Sequence, residues 1–119
     1  GHNHQGDLQL CKKMFRAAKE AGANAVKLQK RDNRSLYTQE FYNSAYNSEN
    51  AFGPTYGAHR DALEFERTQY IILQEYAATL GITFFATAFD IPSADFLAEL
   101  EVPAIKIASG DLKNHSLLA

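Results

Sequence analysis

The sequence is poor in several residue types at once. Of its 119 residues, one is cysteine, one is methionine, three are proline and none is tryptophan. A single thiol, Cys11, cannot close a disulfide within the chain, which argues against a small secreted scaffold stapled by bridges. No run approaches the ~18 consecutive apolar residues of a membrane helix. The opening GHNHQGDLQL lacks the charged-then-apolar pattern of a signal peptide. Neither sign of charge dominates: 12 Lys and Arg stand against 14 Asp and Glu, a formal net charge of −2. That balance argues against a nucleic-acid binder or an acidic tail. These absences lead us to expect a soluble, cytoplasmic protein with no nucleic-acid and no membrane partner. The chain is 45% hydrophobic and 12% aromatic, too apolar for disorder and sufficient for one core. It opens on Gly1 rather than Met and stops at Leu117-Leu118-Ala119 as an apolar segment begins, so both ends read as cut.

The apolar spacing organises the chain. Leu8, Cys11, Phe15 and Ala18 form a helical stripe over residues 7–21, with Asp7 as N-cap and Gly22 as stop. Asn24 to Gln29 reads as a strand. Residues 30–60 carry no sustained period and are rich in Asn, Ser, Tyr and Gly, the pattern of a long functional or mobile loop. Tyr70, Leu73, Ala77 and Leu80 share a face of a helix over 67–80, ended by Gly81. Ile82 to Thr87 is a second strand. A short helix over 93–100 is capped by Ser93 and packed by Phe96, Leu97 and Leu100; after Pro103, Ala104 to Ser109 is a third strand. Helices and strands that alternate in this way predict an α/β fold with parallel strands and helical crossovers.

The chemistry is concentrated in two of the strands. Lys27 lies in Ala-Val-Lys-Leu-Gln and Lys106 in Ala-Ile-Lys-Ile-Ala. Alternation turns Val26 and Leu28 one way, toward helices, and Lys27 and Gln29 the other; Ile105 and Ile107 likewise oppose Lys106 and Ala108. An unpaired ion in a buried strand costs several kcal/mol, on the order of the penalty for a desolvated charge; a neutral amine, a bound anion or a stem that snorkels past the strand end removes that cost, and two lysines in matched contexts favour a shared anion. Strands lie about 4.8 Å apart, so lysines two strands apart reach across roughly 10 Å. Between them Thr83, Phe85 and Thr87 share a face. Thr87, Ser109 and Gly110 close their strands where parallel α/β folds collect ligands. Ammonium groups, hydroxyls and exposed backbone together suit phosphate or carboxylate.

Other polar clusters read more plainly. His2 and His4 are spaced to ligate a metal if extended, but with no third ligand beside them a polar loop is the favoured reading. His59-Arg60 reads as a solvated turn and Glu64-Phe65-Glu66-Arg67 as a solvated helix start. Cys11 falls on the apolar stripe and reads as packing.

Taken in order, GxNHxGD at Gly1–Asp7, AGAxAVKxQ at Ala21–Gln29, YGxHRxxLE at Tyr56–Glu64, GIxFxxTxFD at Gly81–Asp90 and VPAxKIASGD at Val102–Asp111 resemble the sialic acid synthase family. The resemblance covers essentially the whole chain. It implies a partial (β/α)8 TIM barrel, roughly strands 2 to 4 with the end of strand 1, so that residues 1–119 form the N-terminal part of a synthase domain. It implies condensation of phosphoenolpyruvate with an N-acetylated amino sugar, N-acetylmannosamine or its 6-phosphate, to a nine-carbon sialic-type acid. Lys27 and Lys106 would be catalytic, and Lys27, Thr87, Lys106 and Ser109 would contact phosphoenolpyruvate. Gln29 and Asp111 would lie at the sugar. The family's divalent metal, Mn2+ or Mg2+, would act as Lewis acid with ligands outside this chain, so His2, His4, His59 and His115 receive no metal role. The family's catalytic glutamate falls two residues before the position of Gly1. The usual Thr-Pro-Phe is here Thr87-Ala88-Phe89. A homodimer is expected at full length, and this stretch alone is expected to be inactive. The alternatives are another phosphoenolpyruvate-dependent keto-sugar-acid synthase, against which Asn3-His4 and Tyr56-Gly57 argue, and an inactive anion-binding fragment.

Overall fold

The computed structural model describes all 119 residues. Helix α1 (Leu8–Glu20) begins where extended Asp7 accepts a hydrogen bond from the Leu10 amide at 3.0 Å. Gly22, at φ +89°, turns the chain into strand β1 (Ala25–Lys30). Short helices α2 (Asn33–Leu36) and α3 (Gln39–Tyr42) precede α4 (Tyr56–Leu63). Helix α5 (Arg67–Leu80) ends on left-handed Gly81 and leads into β2 (Thr83–Ala88). Helix α6 (Ile91–Glu99), β3 (Ile105–Ile107), a 3-10 turn (Ser109–Asp111) and α7 (His115–Leu118) complete the chain. No helix is long and apolar enough to cross a membrane.

The three strands form one parallel sheet in the order β1-β2-β3. The expected α/β alternation is therefore present, with α5 and α6 as the crossovers. Leu28 pairs with Ala86, Gln29 with Thr87, and Thr87 with Lys106. Residues in register share a face, so the sheet has an apolar side and a polar side. On the apolar side Leu28, Phe84, Ala86 and Ala88 pack against Cys11 and Phe15 of α1, Tyr70, Leu73 and Ala77 of α5, and Leu97 of α6. The Phe84 ring sits 5.4 Å from Phe15 and 5.8 Å from Tyr70, centroid to centroid. Each large side chain buried there contributes about 1.5–3 kcal/mol. Cys11, 1% exposed, is a packing residue as its place in the stripe predicts.

Four expectations need correction. Residues 30–60 are not an unstructured loop: α2, α3 and most of α4 lie in or begin within them, each started by a side-chain cap from Asp32, Thr38 or Thr55. Gly57 is bare because the Tyr42 ring occupies the place of its Cβ. Helix α6 is capped by Asp90, whose Oδ1 accepts from the Ser93 amide at 2.8 Å, and Pro92 lies in its first turn; Ser93 is thus inside the helix. The third strand has three residues instead of six: β2 ends at Ala88, which leaves Ala108 and Ser109 without a partner, and Ala104 lies outside the ladder. Parts of the segments read as solvated are packed: His59 is 8% exposed and its Nδ1 accepts from the Phe52 amide at 3.1 Å, and Phe65 is 2% exposed, whereas Glu66 and Arg67 are exposed at the start of α5 as expected. His4, in the expected loop, is 3% exposed and stacks on Phe65.

Candidate active site

The polar side of the sheet carries Lys27 and Gln29 from β1, Phe85 and Thr87 from β2, and Lys106 from β3. Lys27 Nζ donates to Thr87 Oγ1 at 2.8 Å and to the Leu28 carbonyl at 3.2 Å. Thr87 is 1% exposed, so this hydroxyl is held in one place and anchors the lysine stem. Lys106 lies opposite Thr87 in register on the next strand. Neither lysine has a carboxylate within ion-pair distance. Burial first, and then the charges of Lys106 and Arg31, lower the Lys27 pKa from its ordinary value. Lys27 is half-buried and Lys106 exposed, and the pair forms a cationic surface with a fixed hydroxyl between its members, suited to an oxyanion with more than one oxygen to offer.

The remaining expected site residues are placed less tightly. Gln29 Oε1 accepts from Arg31 Nη1 at 3.2 Å. Ser109 begins the 3-10 turn beyond β3 and is exposed, with no hydrogen bond to Lys27 or Thr87. Asp111 braces the following turn, its Oδ1 accepting from Asn114 Nδ2 at 3.4 Å. No three His, Cys, Asp or Glu side chains converge closely enough to hold a metal ion among themselves.

A second cluster, which motif reading passed over, adjoins Gln29. Arg31 Nη1 lies 3.3 Å from His2 Nε2, and Arg60 Nη1 lies 3.3 Å from His2 Nδ1. Arg60 Nε donates to the Tyr56 hydroxyl at 3.0 Å, which lies 3.5 Å from the Tyr37 hydroxyl. For Tyr56, burial raises the pKa, but hydrogen bonds with Tyr37 and Arg60 and the charges of both arginines outweigh it and pull it down. Two signals in the sequence could have found this cluster. Arg31 continues the alternation of Lys27 and Gln29, and Tyr56 and Arg60 stand at i and i+4 on one helix. Behind it, Glu64 is buried rather than solvated. Its Oε2 takes Lys30 Nζ at 3.4 Å and the Arg31 amide at 3.3 Å.

A parallel sheet with helices on one face, and lysines without carboxylate partners, a fixed hydroxyl and nearby guanidiniums on the other, defines an α/β protein with a cationic polar face. The chain belongs to the NeuB family, whose model matches residues 14–119. It is 45% identical, over 99% of its length, to the N-acetylneuraminate-9-phosphate synthase of Drosophila melanogaster, covering 32% of that protein. It is 43% identical to the human protein of the same name over 99% of this chain and 33% of that one. It is 42% identical to an N,N'-diacetyllegionaminic acid synthase of Legionella pneumophila over 96% of this chain and 32% of that one. A crystal structure of N-acetylneuraminic acid (sialic acid) synthetase from Leptospira borgpetersenii, in complex with citrate, matches with a TM-score of 0.72 at 38% identity. That match covers 99% of this chain and 37% of the other. The chain thus spans about a third of the length of the curated relatives it matches. The resemblance read from the five motifs is correct at the level of the family.

Proposed function

We propose that this chain is the phosphoenolpyruvate-binding part of an enzyme that condenses phosphoenolpyruvate with an N-acetylated amino sugar to give a sialic-type acid and phosphate. The observation that carries this reading is the Lys27–Thr87 contact of 2.8 Å on a face shared with Lys106 and free of carboxylate partners. The three strands are read as the second to fourth of an eight-stranded barrel, whose usual size is about 250 residues. Relatives roughly three times as long as this chain support that reading.

In this mechanism Lys27 and Lys106 hold the phosphate and carboxylate of phosphoenolpyruvate, and Thr87 fixes the stem of Lys27. Ser109 adds a hydroxyl to the same groups, and Gln29 and Asp111 face the sugar. The enol carbon attacks the sugar aldehyde and forms the new carbon–carbon bond. Water adds to the resulting cationic centre, and phosphate leaves by carbon–oxygen cleavage. The lysine charges offset the negative charge that gathers on the departing phosphate. The expected Mn2+ or Mg2+, with ligands outside these residues, stays part of the proposal, and no step here is routed through it. A cytoplasmic homodimer completes the reading at full length. The test is phosphate release by the full-length enzyme from phosphoenolpyruvate with N-acetylmannosamine, its 6-phosphate and diacetamido sugars in turn. Release that depends on one of these sugars supports the reading, and no release with any of them overturns it.

A further inference from the structure

Gln29 stands on the polar side of the sheet, two residues beyond Lys27 and in register with Thr87. A side-chain amide has two unlike ends: Oε1 only accepts and Nε2 only donates. Which end faces the open side is fixed here by Arg31. A guanidinium carries N–H groups and no acceptor, so the 3.2 Å contact from Arg31 Nη1 has to be made to Oε1. It is the one hydrogen bond of the Gln29 side chain, and Nε2 is left directed away from the arginine with both N–H groups free. Arg31 is itself held from three directions. Its guanidinium lies 3.9 Å from the centre of the Phe89 ring, its backbone amide donates to Glu64 Oε2 at 3.3 Å, and Nη1 lies 3.3 Å from His2 Nε2. Glu64 Oε1 lies 3.3 Å from the same His2 nitrogen and has no other partner. That carboxylate oxygen favours the tautomer with the proton on Nε2 and the lone pair on Nδ1, which faces Arg60 Nη1 at 3.3 Å. Gln29 Oε1 is then the one acceptor among the contacts of Arg31 Nη1.

We infer that Arg31 is a positioning residue: it holds the Gln29 amide with its N–H2 end toward the open face, so that Gln29 donates to an acceptor oxygen of the amino sugar instead of accepting from one of its hydroxyls. The inference rests on the reaction proposed above and adds the direction of this hydrogen bond. An unrestrained glutamine end group has two orientations, related by a half-turn, that offer opposite hydrogen-bond chemistry. The guanidinium removes one of them before the sugar arrives, so that ordering cost is not charged to binding. Arg31 acts through Gln29 and is not asked to touch the sugar. A lysine ammonium could hold Oε1 as well, but without the planar fork that lies over Phe89 it would hold it less firmly.

The experiment is steady-state kinetics of the full-length enzyme with phosphoenolpyruvate and N-acetylmannosamine or its 6-phosphate, whichever wild type condenses. Arg31→Met, Arg31→Lys, Gln29→Met, Gln29→Glu and the double variant Arg31→Met with Gln29→Met are compared. Gln29→Met should raise KM for the sugar about 10-fold, the upper end of the worth of one neutral hydrogen bond. Arg31→Met should raise it about 3-fold, because the freed amide spends part of its time the other way round. In the double variant the arginine has nothing left to orient, so KM should stay near the ~10-fold of Gln29→Met alone. In all three, KM for phosphoenolpyruvate should change less than about 3-fold, and Arg31→Lys should recover part of the loss seen in Arg31→Met. Gln29→Glu keeps an acceptor for Arg31 and puts a second oxygen where the N–H2 stood, so KM for the sugar should rise at least as far as in Gln29→Met. A double variant near the ~30-fold product of the two single effects means that Arg31 acts on the sugar by itself, which overturns the positioning role. A rise in KM for phosphoenolpyruvate as large as that for the sugar makes Arg31 a structural residue and overturns it too. A wild-type KM for the sugar in Gln29→Glu shows an accepting glutamine and overturns the direction of the bond; this variant decides alone if Arg31→Met fails to fold. Condensation of neither sugar by wild type overturns the reaction, and the inference with it.

Discussion

Lys27 and Lys30 stand three residues apart on β1, and the alternation of the strand sends them to opposite faces of the sheet. On the helical side, Lys30 is 8% exposed and fully partnered. Its Nζ donates to the Phe65 carbonyl at 3.0 Å, faces Glu64 Oε2 at 3.4 Å and lies 5.0 Å from the centre of the Phe96 ring. On the polar side, Lys27 has a hydroxyl and a neighbouring carbonyl but no carboxylate, and it faces a second lysine. Both are lysines in a parallel strand, where a bare charge is costly. What separates them is whether the protein supplies the counter-charge. Where it does, the lysine is part of the fold; where it does not, the proposed function has the substrate supply it.

The comparison is broken most directly at Lys30. Lys30→Met removes one partner of a buried ion pair and leaves Glu64 with the Arg31 amide and His2 alone. A loss of about 3 kcal/mol in unfolding free energy is expected, the low end of the range for such a cut because those two contacts persist. Urea denaturation measures it. Replacing Lys30 and Glu64 together by Met and Leu should recover most of that loss, since no uncompensated charge is then buried. A loss under about 1 kcal/mol for Lys30→Met would place the two lysines in one category and end the contrast.

Lys27→Met sharpens the same contrast from the other side. The stem volume stays and the charge goes. Without ligand, stability should hold or rise slightly, because burial and Lys106 both oppose that charge. Calorimetric titration of phosphoenolpyruvate into the full-length enzyme should weaken by about 1.5–3 kcal/mol, the scale of a hydrogen bond to a charged group. Lys106→Met should behave alike. Unchanged affinity with lost stability would make Lys27 a structural lysine of the Lys30 kind.

Much of this was legible in the sequence, and the legible part is the part built from local period. Helices α1 and α5 follow apolar stripes, each strand follows a short apolar run, and the polar face of Lys27, Gln29, Thr87 and Lys106 follows from alternation alone. The segment before α5 was opaque because its order comes from aromatic contacts without a period. Tyr56 packs on Phe41 at 4.5 Å and Tyr37 at 5.1 Å, and Tyr46 packs on His59 at 4.4 Å between centroids. The burial of Glu64 was opaque for a related reason: its partners Lys30 and His2 are more than thirty residues away in the chain. Ser109 and Asp111 lie beyond the last register pair, where alternation no longer orients a side chain.

The cap of α6 repeats the lysine contrast with neutral and acidic groups, on a smaller scale. Asp90 is partnered twice: Oδ1 accepts from the Ser93 amide and Oδ2 from the Asp32 amide, both at 2.8 Å. Asp90→Ala should therefore cost about 1–2 kcal/mol, the upper part of the usual range for an N-cap. A cost near zero would return the cap to Ser93.

Ser93→Ala is the smallest and sharpest of these tests. Ser93 is 1% exposed and its Oγ has no hydrogen-bond partner, so the hydroxyl is desolvated without return. Its backbone amide, the group that serves the cap, is untouched by the substitution. Alanine also has a higher helix propensity than serine at this position inside α6. Both effects have the same sign, so unfolding free energy should stay level or rise by up to about 0.5 kcal/mol. The same reasoning that makes a partnered Lys30 structural makes an unpartnered hydroxyl dispensable, unless a ligand claims it. If urea denaturation instead shows a loss of about 1 kcal/mol or more, Ser93 Oγ has an unseen partner in the intact molecule, since that is the usual worth of a made hydrogen bond. An unpartnered buried polar group would then no longer separate fold from site at this position.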